Sequence, residues 1–291
     1  MNTNTNNILQ FSSLTQMLAC FPDEQACIDH LTAVRWRNGA ACPHCGSMKI
    51  YTFSNQRTHK CGDCRQKFSI KVGTIFEDSK IPLKKWFIAI YLITSHKKGI
   101  SSIQLGKDVG VTQKTAWFMN HRLREATRTK AFQAPLKNAV EVDETYVGGK
   151  PRYGQPHPMH PGKRRRGPAP DFTDHKTPVM ALVEPNGRAR ALVPEQVTGA
   201  NLKSAIRQHI DPSAAIHTDE HPGYRGIGRE FAGGHETVNH SAKEYARGDV
   251  TTNTVEGFFS LLKRGVMGTF HHVSKKHLHR YVAELECRYN S

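Results

Sequence analysis

Long apolar runs are missing from this sequence. The best candidate, "WFIAIYLITS" at 86–95, is shorter than the roughly 18 residues of a spanning helix and runs on into lysines. The opening "MNTNTNNILQF" carries neither the basic nor the apolar segment of a secretory leader. No membrane partner is therefore expected, and the chain reads as cytoplasmic and nucleoid-associated. Acid is also in short supply: 25 Asp and Glu stand against 41 Lys and Arg, a formal charge of +16 over 291 residues. Solubility alone would not need such a surplus. A polyanionic partner would, since each lysine or arginine that meets a phosphate releases a condensed counterion. No internal repeat is visible, so the length reads as two or three separate domains.

Cysteine is sparse, with seven residues, an odd number. Four of them form two Cys-x-x-Cys pairs, Cys42/Cys45 and Cys61/Cys64, separated by fifteen residues that read as a hairpin. In a chain without an export signal this pattern points to metal before disulfides. Two knuckles with glycines at Gly46 and Gly62 aim four thiolates at one tetrahedral ion. All four positions are filled by sulfur, so the expected zinc is structural. His44 and His59 are surplus to a four-coordinate ion, and Cys20 and Cys27 read as ordinary core or surface residues.

Helical spacing dominates the first half. Residues 1–40 are expected to form an N-terminal helical segment, with Asp23 near a cap, and residues 41–72 the zinc ribbon. Over 80–132 three helices are expected, starting at Pro82, at Ser101 or Ser102, and at Thr112, with Gly110 marking a tight turn. A short helix, a glycine turn and a helix with an apolar stripe at Ala116, Met119 and Leu123 suggest a helix-turn-helix. Its last helix would then present Gln113, Lys114 and Thr115 to base edges. The competing reading is an ordinary three-helix bundle. Farther on, the Pro- and Gly-rich stretch 150–178 holds the run Lys163-Arg164-Arg165-Arg166 and is expected to be a basic arm beside nucleic acid.

The few acids are not spread evenly. "VEVDETYVGG" at 140–149 sends Glu141, Asp143 and Thr145 to one face of an expected strand and Val142, Glu144 and Tyr146 to the other. A hairpin around Pro185-Asn186-Gly187 follows, then a helix capped near Thr198 or Asn201, then a strand that ends at Thr218-Asp219. A last helix, "NTVEGFFSLLKRG", carries Asn253, Glu256 and Lys263 on one side at spacings of three and seven. Three strands, a helix and a fourth strand match the ribonuclease H-like plan, in which a first-strand acid and a fourth-strand acid lie side by side. Carboxylates without soft donors suit magnesium or manganese, and two such ions can flank an in-line phosphoryl displacement. Glu141 sits about 7 Å back along the strand and is the weaker ligand candidate. Glu144, on the opposite face, reads as a structural or phosphate-repelling neighbour that could pair with one of the many basic side chains. His240, His271, His272, His277 and His279 lack the three- or four-residue spacing of helical ligands and read as phosphate contacts or surface residues.

Taken together, "CPHCGS", "KCGDCRQKFSIKVGTIFEDSKIPL", "VEVDETYVGGK", "HTDEHPGYRGI" and "TNTVEGFFSLLKRG" resemble the zinc-ribbon DDE transposases of insertion sequences, those with an ISXO2-like transposase domain. The likeness runs from about residue 20 to the end. It implies a multidomain α+β chain in which a ribonuclease H-like α/β catalytic domain with a mixed sheet spans 138–291. It implies double-stranded DNA as partner, both element ends and target, with structural Zn2+, catalytic Mg2+ or Mn2+, and a homodimer or higher oligomer on DNA. By matched position Asp143, Asp219 and Glu256 become the triad and Lys263 its basic companion. Members carry glutamate or asparagine at the third position, which brings in Asn253. The other function class compatible with these residues is a zinc-ribbon DNA-binding regulator, derived from such an enzyme, in which the acids only support the fold.

Overall fold

The computed structural model describes residues 11–128, 134–148, 156–157, 160–164, 176–242, 244, 246–248 and 250–290. They divide into two compact units, residues up to His96 with Ile100–Ala126, and Lys97–Gly99 with Thr127 onward.

In the first unit, helices α1 (Leu14–Cys20) and α2 (Glu24–Arg35) precede a three-stranded antiparallel sheet of β1 (Ile50–Thr52), β2 (Thr58–Cys61) and β3 (Lys67–Ser69). Three more helices follow: α3 (Leu83–Ser95), α4 (Ser102–Val109) and α5 (Gln113–Ala126). Local chemistry sets where they begin. The Asp23 carboxylate accepts from the Ala26 N–H at 2.8 Å and starts α2. Its neighbour Glu24 serves a different helix: α3 has no capping side chain of its own, and the Glu24 carboxylate accepts from the Leu83 and Lys84 N–H groups at 2.8 and 3.0 Å. Ser101 caps α4 and Thr112 caps α5. Between them Gly110 adopts φ 64°, the left-handed conformation that ends α4 with little steric cost. The helices bury Met17, Leu83, Trp86, Leu105 and Met119 in one core, with Cys27 among them and Cys20 exposed.

The second unit is built on a five-stranded mixed sheet. Strand β4 (Ala139–Val147) runs antiparallel to β7 (Thr177–Val183), which runs antiparallel to β8 (Ala189–Leu192). Helix α6 (Gly199–His209), capped by Thr198, leads to β9 (Ala215–Thr218), which joins the other side of β4 in parallel. A further strand, β10 (His235–Thr237), completes the order β10-β9-β4-β7-β8. The acid-bearing β4 is thus the central strand, with β9 its parallel neighbour. Both faces of the sheet are covered: Val140, Val142 and Leu182 meet Leu202 and Ile206 of α6. On the opposite face, Val179, Ala181 and Val183 meet Phe258, Phe259 and Leu262 of α7 (Asn253–Gly265) and Val282 and Leu285 of α8 (Leu278–Tyr289). Where the sequence suggested only an arm, β5 (Pro156–His157) and β6 (His160–Arg164) pair antiparallel. Arg165 and Arg166 lie outside the described residues.

Side chains from α8 shield the outer edge of β8. Asn290 accepts from the Ala189 N–H at 2.7 Å and donates to the Ala189 carbonyl at 3.0 Å. The Glu286 carboxylate accepts from the Ala191 N–H at 2.9 Å and pairs with buried Arg190. An unpaired edge would invite other strands to dock. Replacing Glu286 by alanine would strand the Arg190 charge, so Glu286→Ala is expected to lower the unfolding free energy by about 3–5 kcal/mol in urea denaturation.

Candidate functional site

The parallel register of β4 and β9 sets Ala139 beside Ala215, Val140 beside Ile216 and Glu141 beside His217. Two residues farther along, the same register brings Asp143 level with Asp219, just past the end of β9. Neighbouring strands lie about 4.8 Å apart, so these carboxylates are close neighbours. Helix α7 crosses the same face and lines a cleft of about 780 Å3 with Glu256, Phe259, Ser260, Lys263 and Arg264, opposite Asp143 and Glu144. Four acids therefore converge in a chain short of acid. Asn253, one turn before Glu256, is exposed at the first position of α7.

Electrostatics reflects this crowding. Burial, then the neighbouring Asp219 and Glu256 carboxylates, raise the Asp143 carboxyl to about 6, against the opposing pull of the Glu144 N–H and of His240. The Glu144 N–H donates to Asp143 Oδ1 at 2.6 Å, and the His221 N–H donates to Asp219 Oδ1 at 3.0 Å. Burial also raises Glu144, to about 7, with Asp143 and Asp219 adding to it. An oxygen-only donor set with this much unrelieved negative charge fits a hard divalent cation, which binds a few carboxylates and keeps several waters. Among the described residues the four cysteines are the one group of three or more Cys, His, Asp or Glu ligand atoms lying within 4.8 Å of one another, so the acids are less tightly gathered.

Two carboxylates of the opening strand have partners that differ from expectation. Glu144 is paired with Tyr224 and not with a base: the buried Tyr224 hydroxyl donates to Glu144 Oε1 at 2.5 Å. Glu141, fully buried, accepts from the Thr254 hydroxyl and the Val255 N–H, both at 2.9 Å. The sequence also undervalued His240. Its ring lies close enough to act on Asp143, its Nε2 is 3.1 Å from the Thr252 hydroxyl, and its N–H donates to Glu220 at 2.9 Å. No spacing rule could have found it, because its partners come from separate segments.

The four cysteines occupy their expected places. Cys42 and Cys64 sulfurs are 3.6 Å apart, as are those of Cys45 and Cys61. A tetrahedral zinc with Zn–S bonds of about 2.3 Å needs sulfurs about 3.8 Å apart, so the thiolates fit that ion. The knuckle glycines differ from one another. Gly46 has φ 77°, but its counterpart after Cys64 is Arg65 at φ 60°. Gly62 is needed for closeness instead: a Cβ there would stand 3.1 Å from the Tyr51 ring and 3.3 Å from the Lys49 carbonyl. His59 is buried against Trp36 and Phe68, with its Nδ1 3.1 Å from the Thr52 hydroxyl.

Of the DNA-contact candidates, Gln113 and Lys114 are exposed at the start of α5. Gln113 donates to the Ser102 hydroxyl at 2.9 Å, and the Thr115 hydroxyl lies 2.9 Å from that of Thr112. Arg164 ends β6, and Arg165 is outside the described residues. No helix among the described residues is long and apolar enough to cross a membrane.

Comparison with known proteins gives the chain's family. Residues 135–290 match the ISXO2-like transposase domain, and residues 22–67 match a transposase zinc-ribbon domain. A protein of Halobacterium salinarum described as an uncharacterized protein in transposable element ISH50 is 30% identical over 277 residues, covering 92% of this chain and 91% of that protein. Among solved structures, the Mos1 strand transfer complex aligns at 14% identity and TM-score 0.26 over 69% of this chain and 74% of that one. A pre-cleavage Mos1 transpososome aligns at 16% identity and TM-score 0.26 over 73% and 79%. Scores at that level do not establish a shared fold.

The sulfur geometry predicts one zinc per chain by elemental analysis of the purified protein. Cys61→Ser is expected to lose that metal and the ordered β1–β3 sheet together; a variant that kept full zinc would contradict the four-thiolate site.

Proposed function

The chain belongs to the ISXO2-like transposase family, and from that premise we propose that it binds the ends of an insertion sequence, cleaves them with divalent metal and transfers the freed 3′ hydroxyl to target DNA. One observation carries the reading: Asp143 on the central strand, Asp219 at the end of its parallel neighbour and Glu256 on α7 converge on one basic-rimmed face. The sheet order supports a ribonuclease H-like catalytic domain over 138–291. Asp143, Asp219 and Glu256 would hold magnesium or manganese, with Asn253 a further oxygen donor within reach of the same helix end. Such ions, when bound, activate an attacking oxygen and stabilise the leaving one in a phosphoryl displacement.

The chain's own groups supply the rest. Lys263 and Arg264, on the α7 face that carries Glu256, meet DNA phosphates and hold the scissile strand over the acids. Glu144, beside Asp143 in the cleft, is held by the Tyr224 hydroxyl. In the first unit, 41–72 is the zinc ribbon and α3–α5, over 80–132, act as a helix-turn-helix with Gln113, Lys114 and Thr115 toward the bases. Arg164 and Arg165 would add phosphate contacts. Two DNA ends are paired for transposition, so a homodimer at least is expected on DNA.

Asp143→Ala and Asp219→Ala are each expected to reduce magnesium-dependent cleavage of element-end DNA to the level of the metal-free control, while mobility-shift affinity stays within about threefold of wild type, well under the tenfold that 1.4 kcal/mol represents. Retained cleavage by either variant would remove the site assignment, and a wild-type protein that binds ends without ever cleaving would favour the regulator. Lys263→Ala is expected to weaken binding evenly across sequences and to flatten the salt dependence by about one unit of slope. An unchanged slope would place Lys263 away from phosphate.

A further inference from the structure

A carboxylate shut away from water must find donors or a cation, and Glu141 is 0% exposed. Its donors are not in its own sheet. One oxygen accepts from the Thr254 hydroxyl and the other from the Val255 N–H, both at 2.9 Å, so a residue of β4 holds the first turn of a helix more than a hundred positions away. Local capping of that turn is slight: Thr252 precedes α7 without a capping hydrogen bond from its side chain, and the Thr251 hydroxyl accepts from the Asn253 N–H at 3.1 Å. A negative charge there also meets the positive end of the helix dipole.

We infer that Glu141 is a positioning residue for the carboxylate site, a role that rests on the metal-dependent reading above. Asp143 lies two residues beyond Glu141 on the same face of β4, and Glu256 directly follows Val255 on α7. One side chain therefore locks the strand bearing the first acid to the helix bearing the third. Each residue of an α-helix turns 100° and rises 1.5 Å, so a slip of α7 by a single position would carry Glu256 out of the cleft. A second tie acts from the other side. The His240 ring reaches the Thr252 hydroxyl at 3.1 Å, and the His240 N–H is held at 2.9 Å by Glu220, the residue after Asp219. Both oxygens of Glu141 are hydrogen-bonded to α7, so the carboxylate acts as a brace.

The test uses the zinc-loaded full chain with Mn2+ as probe. The titration difference between wild type and Asp143→Ala defines binding at the acids, and hydrogen exchange follows the first turns of α7. Glu141→Ala is expected to lose protection there and to weaken Mn2+ binding by about 10–100-fold, the range for residues that support metal ligands. Glu141→Gln should restore both, because its amide oxygen can accept from Val255 and its amide N–H can donate to Thr254. Thr254→Val, which removes one of the two hydrogen bonds, should fall between. Wild-type protection in Glu141→Ala would overturn the brace, and so would a frayed α7 with unchanged Mn2+ affinity. A Glu141→Gln variant as weak as the alanine would make Glu141 a ligand. If wild type and Asp143→Ala bind Mn2+ alike, the metal reading falls, while exchange in α7 still decides whether Glu141 holds the helix.

Discussion

The buried Glu141 carboxylate has no water to face, and it is satisfied at the first turn of α7. Much of the second unit follows from that bond. It ties the start of the helix to the central strand, and Phe258, Phe259 and Leu262 farther along it pack on Val179, Ala181 and Val183. It also decides which turn of α7 faces Asp143. The same device appears in the first unit, where Glu24 of α2 accepts from the opening N–H groups of α3. In both cases the residue before the helix supplies no side-chain cap and a distant segment lends a carboxylate, so the capping bond also sets tertiary geometry.

The acids that remain form the opposite kind of arrangement. Glu141 has two donors, whereas Asp143 has one backbone N–H, and burial together with two carboxylate neighbours raises it to about 6. A fold gains nothing in stability from holding like charges together. Such a cluster makes sense where a cation completes it, and the basic residues Lys263 and Arg264 on the rim suit a polyanion laid across it.

Strand alternation and helical spacing single out Asp143, Asp219, Glu256 and Lys263 as candidates, because these residues sit on or just past periodic elements whose order is readable. The cysteine pairs were legible for a related reason, since their spacing alone defines four donors. The partners of Glu141 and Glu144 were not legible. Thr254, Val255 and Tyr224 meet them only after the sheet has closed, and the sequence carries no local sign of such contacts. His240 reads from the sequence as a phosphate contact or surface residue, because its neighbours come from a strand end and a helix cap, not from its own segment. Gly62 was read as a turn residue, but it is required for the close approach of two backbone segments. Strand β10 is only three residues long and its pattern is too short to register.

The most direct measurement of the central claim is anomalous scattering from crystals of the protein soaked in Mn2+ with element-end DNA. The account predicts manganese peaks bounded by Asp143, Asp219 and Glu256, with Glu141 still bonded to Thr254 and Val255. Manganese absent from those acids while DNA is bound, or ligated by Glu141 in their place, would contradict it.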